Sequence, residues 1–159
     1  YDLAADPDSG GYALDVAVNG PALLNELIID TDDVDLLKPW RPVRARRRVS
    51  DAELEAFQAA LGESGVWGPA PVGAELASVD FYWILAACHG GRFRFNAFRW
   101  PSRRFQGLRF PQLLFTWDST GIPVGTPRKI DLVTFYGSDQ EEDLTHYFHI
   151  RIKADGLWP

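Results

Sequence analysis

One cysteine, three histidines and a scatter of aspartates are the residues of this chain whose types support catalysis, and their spacing decides what they can do. Cys88 and His89 are adjacent, the types of a nucleophile and its base. Neighbours on a strand point to opposite faces, so these two cannot pair with each other. Cys88 is expected to be a buried, inert thiol and His89 a polar residue at a turn. His146 and His149 have the chemistry of metal ligands. Three positions apart on a strand again means opposite faces, and Tyr147, Phe148 and Ile150 favour strand over helix there. A zinc site would also need carboxylates that the spacing does not supply. The expectation is an inward, hydrogen-bonded His146, a solvated His149, no metal and no cofactor. Asp80, Asp118 and Asp131 are acid–base candidates, but nothing in their spacing brings two together, and Asp118 before Ser-Thr-Gly reads as a turn or cap. The chain has no G-x-S-x-G, P-loop, G-x-G-x-x-G, H-E-x-x-H or EF-hand pattern.

The other chemistry is charge. Arg92, Arg94, Arg99, Arg103 and Arg104 gather around one predicted hairpin and its exit, and Asp139, Glu141, Glu142 and Asp143 form an acidic turn. Arg92-Phe93-Arg94-Phe95 shares residue types with the aromatic–basic strands of RNA-binding sheets, where rings and bases occupy one exposed face. Here they alternate, which predicts rings towards the core and arginines towards solvent. The formal charge of −6 and pI near 5.0 also argue against neutralising phosphates. Patches of both signs suit electrostatic recognition of a protein. The candidate partner-binding residues are therefore Arg92, Arg94, Arg99, Arg103, Asp139, Glu141, Glu142, Asp143 and His149.

The elements that must position these residues fit one α+β domain. The 159 residues suit a single core, and 46% apolar composition with six Trp, ten Phe and five Tyr supplies it. No apolar run approaches the ~18 residues of a membrane helix. A single Cys excludes an internal disulfide framework. Residues 1–37 hold nine acids and no base, and Lys38, Arg41, Arg44, Arg46, Arg47 and Arg48 follow, as expected of solvated faces that pair. The first residue is Tyr1, with no initiator Met or apolar leader, which fits either a removed leader or a cropped N-terminus. The compartment stays open between periplasm and cytoplasm.

Residues 1–10 read as a loose arm and 11–159 as the domain. Residues 12–18 alternate as a strand, with Asn19-Gly20 as a hairpin turn and 23–29 as a returning strand or short helix. Residues 43–49 read as a strand with one basic side. Ser50-Asp51-Ala52-Glu53 has the capping-box form and opens a helix to Leu61, ended by Gly62. Residues 79–87 and 92–100 form a hairpin about Gly90-Gly91. A helical stretch over 105–117, with Pro111 as a second possible start, a strand over 130–136 and a final strand over 145–152 complete the chain. The sum predicts a mainly antiparallel sheet of about five to seven strands with two or three helices on one side.

Residues 50–114 carry a familiar order: the capped helix, Gly65-Val66-Trp67, Asp80 with Trp83 and Leu85, a Gly-Gly hairpin, Trp100-Pro101 and a helix ending in Leu113-Leu114. This resembles small bacterial proteins with a helix, a D-G-x-x-W-x-L-E strand, a hairpin, a W-x-P-like exit and a final helix. Phe81 stands where Gly would, Trp83 comes one residue early, and Ala86 stands where Glu would. Proteins of this kind occur as immunity partners of secreted toxins, and the resemblance implies binding rather than catalysis. The expected function is a non-enzymatic bacterial protein-binding domain, an immunity-type inhibitor that occludes a toxin's active site. The alternatives are a small enzyme using His or Asp acid–base groups and an exported structural or assembly component.

Overall fold

The capping box predicted at Ser50 forms and launches the longest helix. In the computed structural model, which describes residues 1–7, 10–19, 42–128, 149–153 and 156–158, the Ser50 backbone N–H donates to Glu53 Oε2 at 2.9 Å and the Glu53 N–H donates to Ser50 Oγ at 3.4 Å. Helix α1 then runs Asp51–Glu63. Gly62 does not end it. Gly65 does, because it takes φ +67°, the left-handed turn that costs glycine least. Its N–H returns to the Gly62 carbonyl and that of Val66 to Leu61, the paired bonds of a Schellman motif. Leu61 and Val66 are both buried.

Among the described residues, three antiparallel sheets accompany three helices in an α+β arrangement. The strands are β1 (Asp2–Asp6), β2 (Gly11–Val18), β3 (Val43–Val49), β4 (Glu75–Ala77), β5 (Tyr82–His89), β6 (Arg92–Arg99), β7 (His149–Lys153) and β8 (Gly156–Trp158). The remaining helices are α2 (Arg103–Gln106) and α3 (Phe110–Trp117). The single sheet of five to seven strands is not found. Among the described residues the sheets are β1-β2-β3, β4-β7-β8 and β5-β6. Alternation identifies strands but not their neighbours, and the β5–β6 ribbon carries apolar residues on both faces, which favours packing between layers over lateral extension.

Contacts divide the chain into two compact units. The first comprises Tyr1–Gln58 and Pro111–Val124. Residues 2–6, assigned to a loose arm from sequence, are here strand β1, laddered to β2 from Asp2↔Asp15 to Asp6↔Gly11. The reversal uses Gly10 at φ +69°, whose N–H donates to the Asp6 carbonyl. Strand β3 pairs with β2 from Tyr12↔Val49 to Val18↔Val43 and shows the alternation read from its sequence, with Arg44, Arg46 and Arg48 outward. Arg46 bridges Asp6 and Asp15. Arg47, on the inward side, pairs with Glu53 and lies 5.4 Å from the Trp117 ring centre. Phe57 meets the same ring at 5.7 Å.

The second unit comprises Ala59–Phe110 and Gly125–Pro159. One face of the β5–β6 ribbon packs on a core of Leu76, Ala97 and Ile152, with Tyr82, Ile84, Phe95 and Ile150 around it. On the other face Trp83 meets Phe110 edge-on at 5.3 Å, and Phe98 and Asn96 are sealed from solvent. The segments over 20–41, 129–148 and 154–155, with the predicted Asn19-Gly20 return and the strand over 130–136, lie outside the described residues. No helix among the described residues is long and apolar enough to cross a membrane.

Candidate partner-binding site

The hairpin that carries three of the candidate residues, Arg92, Arg94 and Arg99, turns on two glycines. Gly90 and Gly91 take φ +57° and +71°, the left-handed pair that a type I′ turn requires and that matches strand twist. Its register pairs His89 with Arg92 and Cys88 with Phe93. At this end Arg92, Phe93 and Arg94 are all exposed. Phe93 is 70% exposed. It shares a face with Phe95 and Ala97, yet only those two reach the Leu76–Ile152 core. The eight-residue strands run past the shorter β4 and β7 beneath them, so among the described residues the last pairs have no layer to cover them.

Two expectations are corrected here. The rings of Arg92-Phe93-Arg94-Phe95 do not all face the core, because Phe93 lies beyond it. Cys88 is exposed rather than buried, for the same reason of position near the turn. A third correction falls further along the strand. The alternation that turns Arg92 and Arg94 to solvent predicts the same for Asn96, yet Asn96 is fully buried. Its Nδ2 donates to the carbonyls of Val66 at 2.9 Å and Gly68 at 3.1 Å, and its Oδ1 accepts from Arg104 at 2.9 Å.

The arginine cluster separates into two groups. Arg92 and Arg99 stand at opposite ends of β6, about 23 Å apart along a strand of ~3.3 Å per residue. Arg94 stays with Arg92 at the turn. At the far end Arg99 is committed: its Nε lies 2.8 Å from Asp80 Oδ2 and its Nη2 donates to Oδ1 at 3.2 Å. Arg104 is held by Asn96 and lies 4.9 Å from the Phe98 ring centre. Arg103 is exposed at the start of α2. His149 opens β7, exposed and opposite Ala77, where its charge adds to the effect of Arg151 in holding the Glu75 carboxyl below its usual range. Asp139, Glu141, Glu142 and Asp143 lie outside the described residues, as do His146 and Asp131.

The described acid–base candidates are occupied structurally. Asp80 is clamped by Arg99 and accepts the Ala77 N–H at 3.1 Å. Asp118 accepts from Thr120 and from the Tyr1 hydroxyl at 2.8 Å. Burial pushes the Asp118 carboxyl up, but those hydrogen bonds outweigh it and its pKa is lowered. Burial and the bond to Asp118 raise the Tyr1 hydroxyl. Among the described residues, no group of three or more His, Cys, Asp or Glu side chains is arranged to hold a metal ion.

The residue that sequence reasoning missed is Phe93. The available signal was position: an aromatic two residues beyond a Gly-Gly turn has few neighbours able to cover it. No family model matches this chain, and neither the curated proteins nor the solved structures give a match.

Proposed function

We propose that this chain is a bacterial protein-binding domain of the immunity kind, and that it inhibits a secreted toxin by seating the β5–β6 turn in an acidic, apolar-floored cleft. The observation that carries the reading is Phe93, 70% exposed between exposed Arg92 and Arg94 on β6 beside a two-residue turn. Among the exposed large apolar residues, Phe93 is the one flanked on both sides by exposed arginines. Aromatic and arginine side chains are the types that dominate interface energies. Their placement on a paired strand beside a short turn keeps the entropy cost of ordering their backbone low. The local charge is positive on a chain of net charge −6, so the complementary partner surface is acidic at its rim. Asp139, Glu141, Glu142 and Asp143 supply a second arm of the proposal, directed at basic groups of the same partner.

The test is capture from bacterial lysate and medium, by the parent chain and by a variant combining Arg92→Glu, Phe93→Ser and Arg94→Glu. Captured proteins are then assayed for activity with and without added chain. The expected result is a secreted toxin held and inhibited stoichiometrically by the parent and released by the variant. Phe93→Ser alone should weaken binding about 30-fold, the scale of a ~2 kcal/mol anchor. Equal inhibition by parent and variant removes the hairpin from the contact. Reversal of Glu141, Glu142 and Asp143 to Lys tests the acidic arm, which predicts slower association and weaker salt dependence. Capture that leaves the toxin fully active overturns the inhibitor reading.

A further inference from the structure

A cavity of about 240 Å³ opens at the end of the hairpin remote from the turn. Its walls are hydrocarbon and ring: Val79, Phe81, Trp100 and Pro101. The Trp100 N–H donates to the Phe81 carbonyl at 2.8 Å, which ties the backbones of the two ring-bearing residues together. Along one side runs the Asp80–Arg99 pair. Arg99 lays two nitrogens on the Asp80 carboxylate and turns its third to the Glu75 carbonyl at 3.4 Å. Asp80 also accepts the Ala77 N–H. The pair is neutral as a unit, and each of the three Arg99 nitrogens has a partner in it or beside it.

Arg128 differs. It comes from a separate stretch of chain, lines the same cavity, is exposed, and makes no ion pair or hydrogen bond among the described residues. The cavity therefore offers apolar walls, a neutralised side and one guanidinium uncommitted among the described residues. A guanidinium meets a carboxylate through two parallel N–H donors. Asp80 does not oppose an incoming anion strongly, because Arg99 offsets its charge. The volume lies below the ~300–1,000 Å³ of pockets for drug-sized ligands and matches a single ring.

We propose that this cavity binds a small carboxylate with a ring-sized apolar body, the ring against Phe81 and Trp100 and the carboxylate on Arg128. The proposal is independent of the hairpin turn and of any protein partner.

Phenylacetate is the probe, titrated into the full chain by calorimetry and by ligand-observed NMR. The expected result is saturable one-to-one binding that weakens with salt. Arg128→Gln should lower the affinity about tenfold, the scale of one charge-assisted contact. Phenylacetamide, the uncharged isostere, should bind the parent as weakly as phenylacetate binds that variant. Arg48→Gln, on the outward side of β3, should change nothing. Absence of saturable phenylacetate binding, or equal binding by parent and Arg128→Gln, overturns the proposal. Equal binding of phenylacetamide and phenylacetate overturns it without any substitution.

Discussion

At its turn the β5–β6 hairpin holds Arg92, Phe93 and Arg94 in the open; a few residues along the same strand, Asn96, Ala97 and Phe98 are closed off on both faces. Both stretches alternate, and each mixes polar with aromatic residues. What separates them is coverage. Near the turn no second layer is present among the described residues, and arginine and phenylalanine alike are exposed. Further along, the Leu76–Ile152 core covers one face, while Val66, Arg104 and Phe110 cover the other. There an asparagine is buried with its hydrogen bonds filled, and an arginine becomes part of the packing. Alternation defines which residues share a face; the rest of the chain decides whether that face is inside.

The comparison breaks or sharpens by substitution. Phe98→Ala removes a ring that is 1% exposed and should cost about 4 kcal/mol, the scale of large-to-small changes in a core. Urea unfolding measures this, and a loss no greater than that of a change at Phe93 would dissolve the distinction. Asn96→Ala comes next. It strands the carbonyls of Val66 and Gly68 and releases Arg104, and should cost about 2–3 kcal/mol. The same unfolding curves read it, and Asn96→Asp should fare little better, since a carboxylate cannot donate to the two carbonyls.

The contrast between committed and open arginines extends to β3, where Arg47 is paired and Arg48 is outward. Hydrogen bonding from the Ser50 backbone, then from Arg47, holds the Glu53 carboxyl below its usual range. A lowered native pKa means that this stabilisation is complete above the unfolded value of ~4.3 and fades as pH falls through the native one. Glu53→Gln should therefore cost under about 1 kcal/mol at neutral pH, because the pair is solvent-screened. Melting temperatures of parent and variant should converge towards pH 3; a constant difference would show that the charge is irrelevant. The smallest effect belongs to the turn: Phe93→Ser should leave stability within about 0.5 kcal/mol. A thermal melt that drops by several degrees would mean that the ring is packed after all.

Local features were legible in the sequence and non-local ones were not. Ser50 to Glu53, the Gly90-Gly91 turn and the basic side of β3 each depend on residues within a few positions, and their chemistry is complete in a short window. Gly62 was mistaken for the helix end because Gly65 sits only three residues later and both fit the composition of a terminus. Strand β1 was hidden because its acidic, turn-rich sequence gives no apolar alternation; its partner on β2 and Arg46 on β3 supply the order. The breakup into small sheets was hidden for the reason that buried Asn96 was. Both depend on which segments stack, and periodicity carries no information about that. Of the candidate site, Arg92 and Arg94 were found together, whereas Arg99 was separated by the length of a strand and by an aspartate nineteen positions away.

The connectivity also sets a timetable. The β5–β6 ladder closes over two residues and can form by local search. The β4–β7 ladder joins Glu75 to Arg151, 76 positions apart, and must enclose the finished hairpin. Loop closure grows costlier with length, and distant pairings form slowly. Pulsed hydrogen exchange should find amides of β5 and β6 protected before those of β4 and β7. In the interval between, Ile84 and Phe95 wait without their covering layer, so the newly made chain passes through a period in which its own apolar face is open to self-association or to a chaperone.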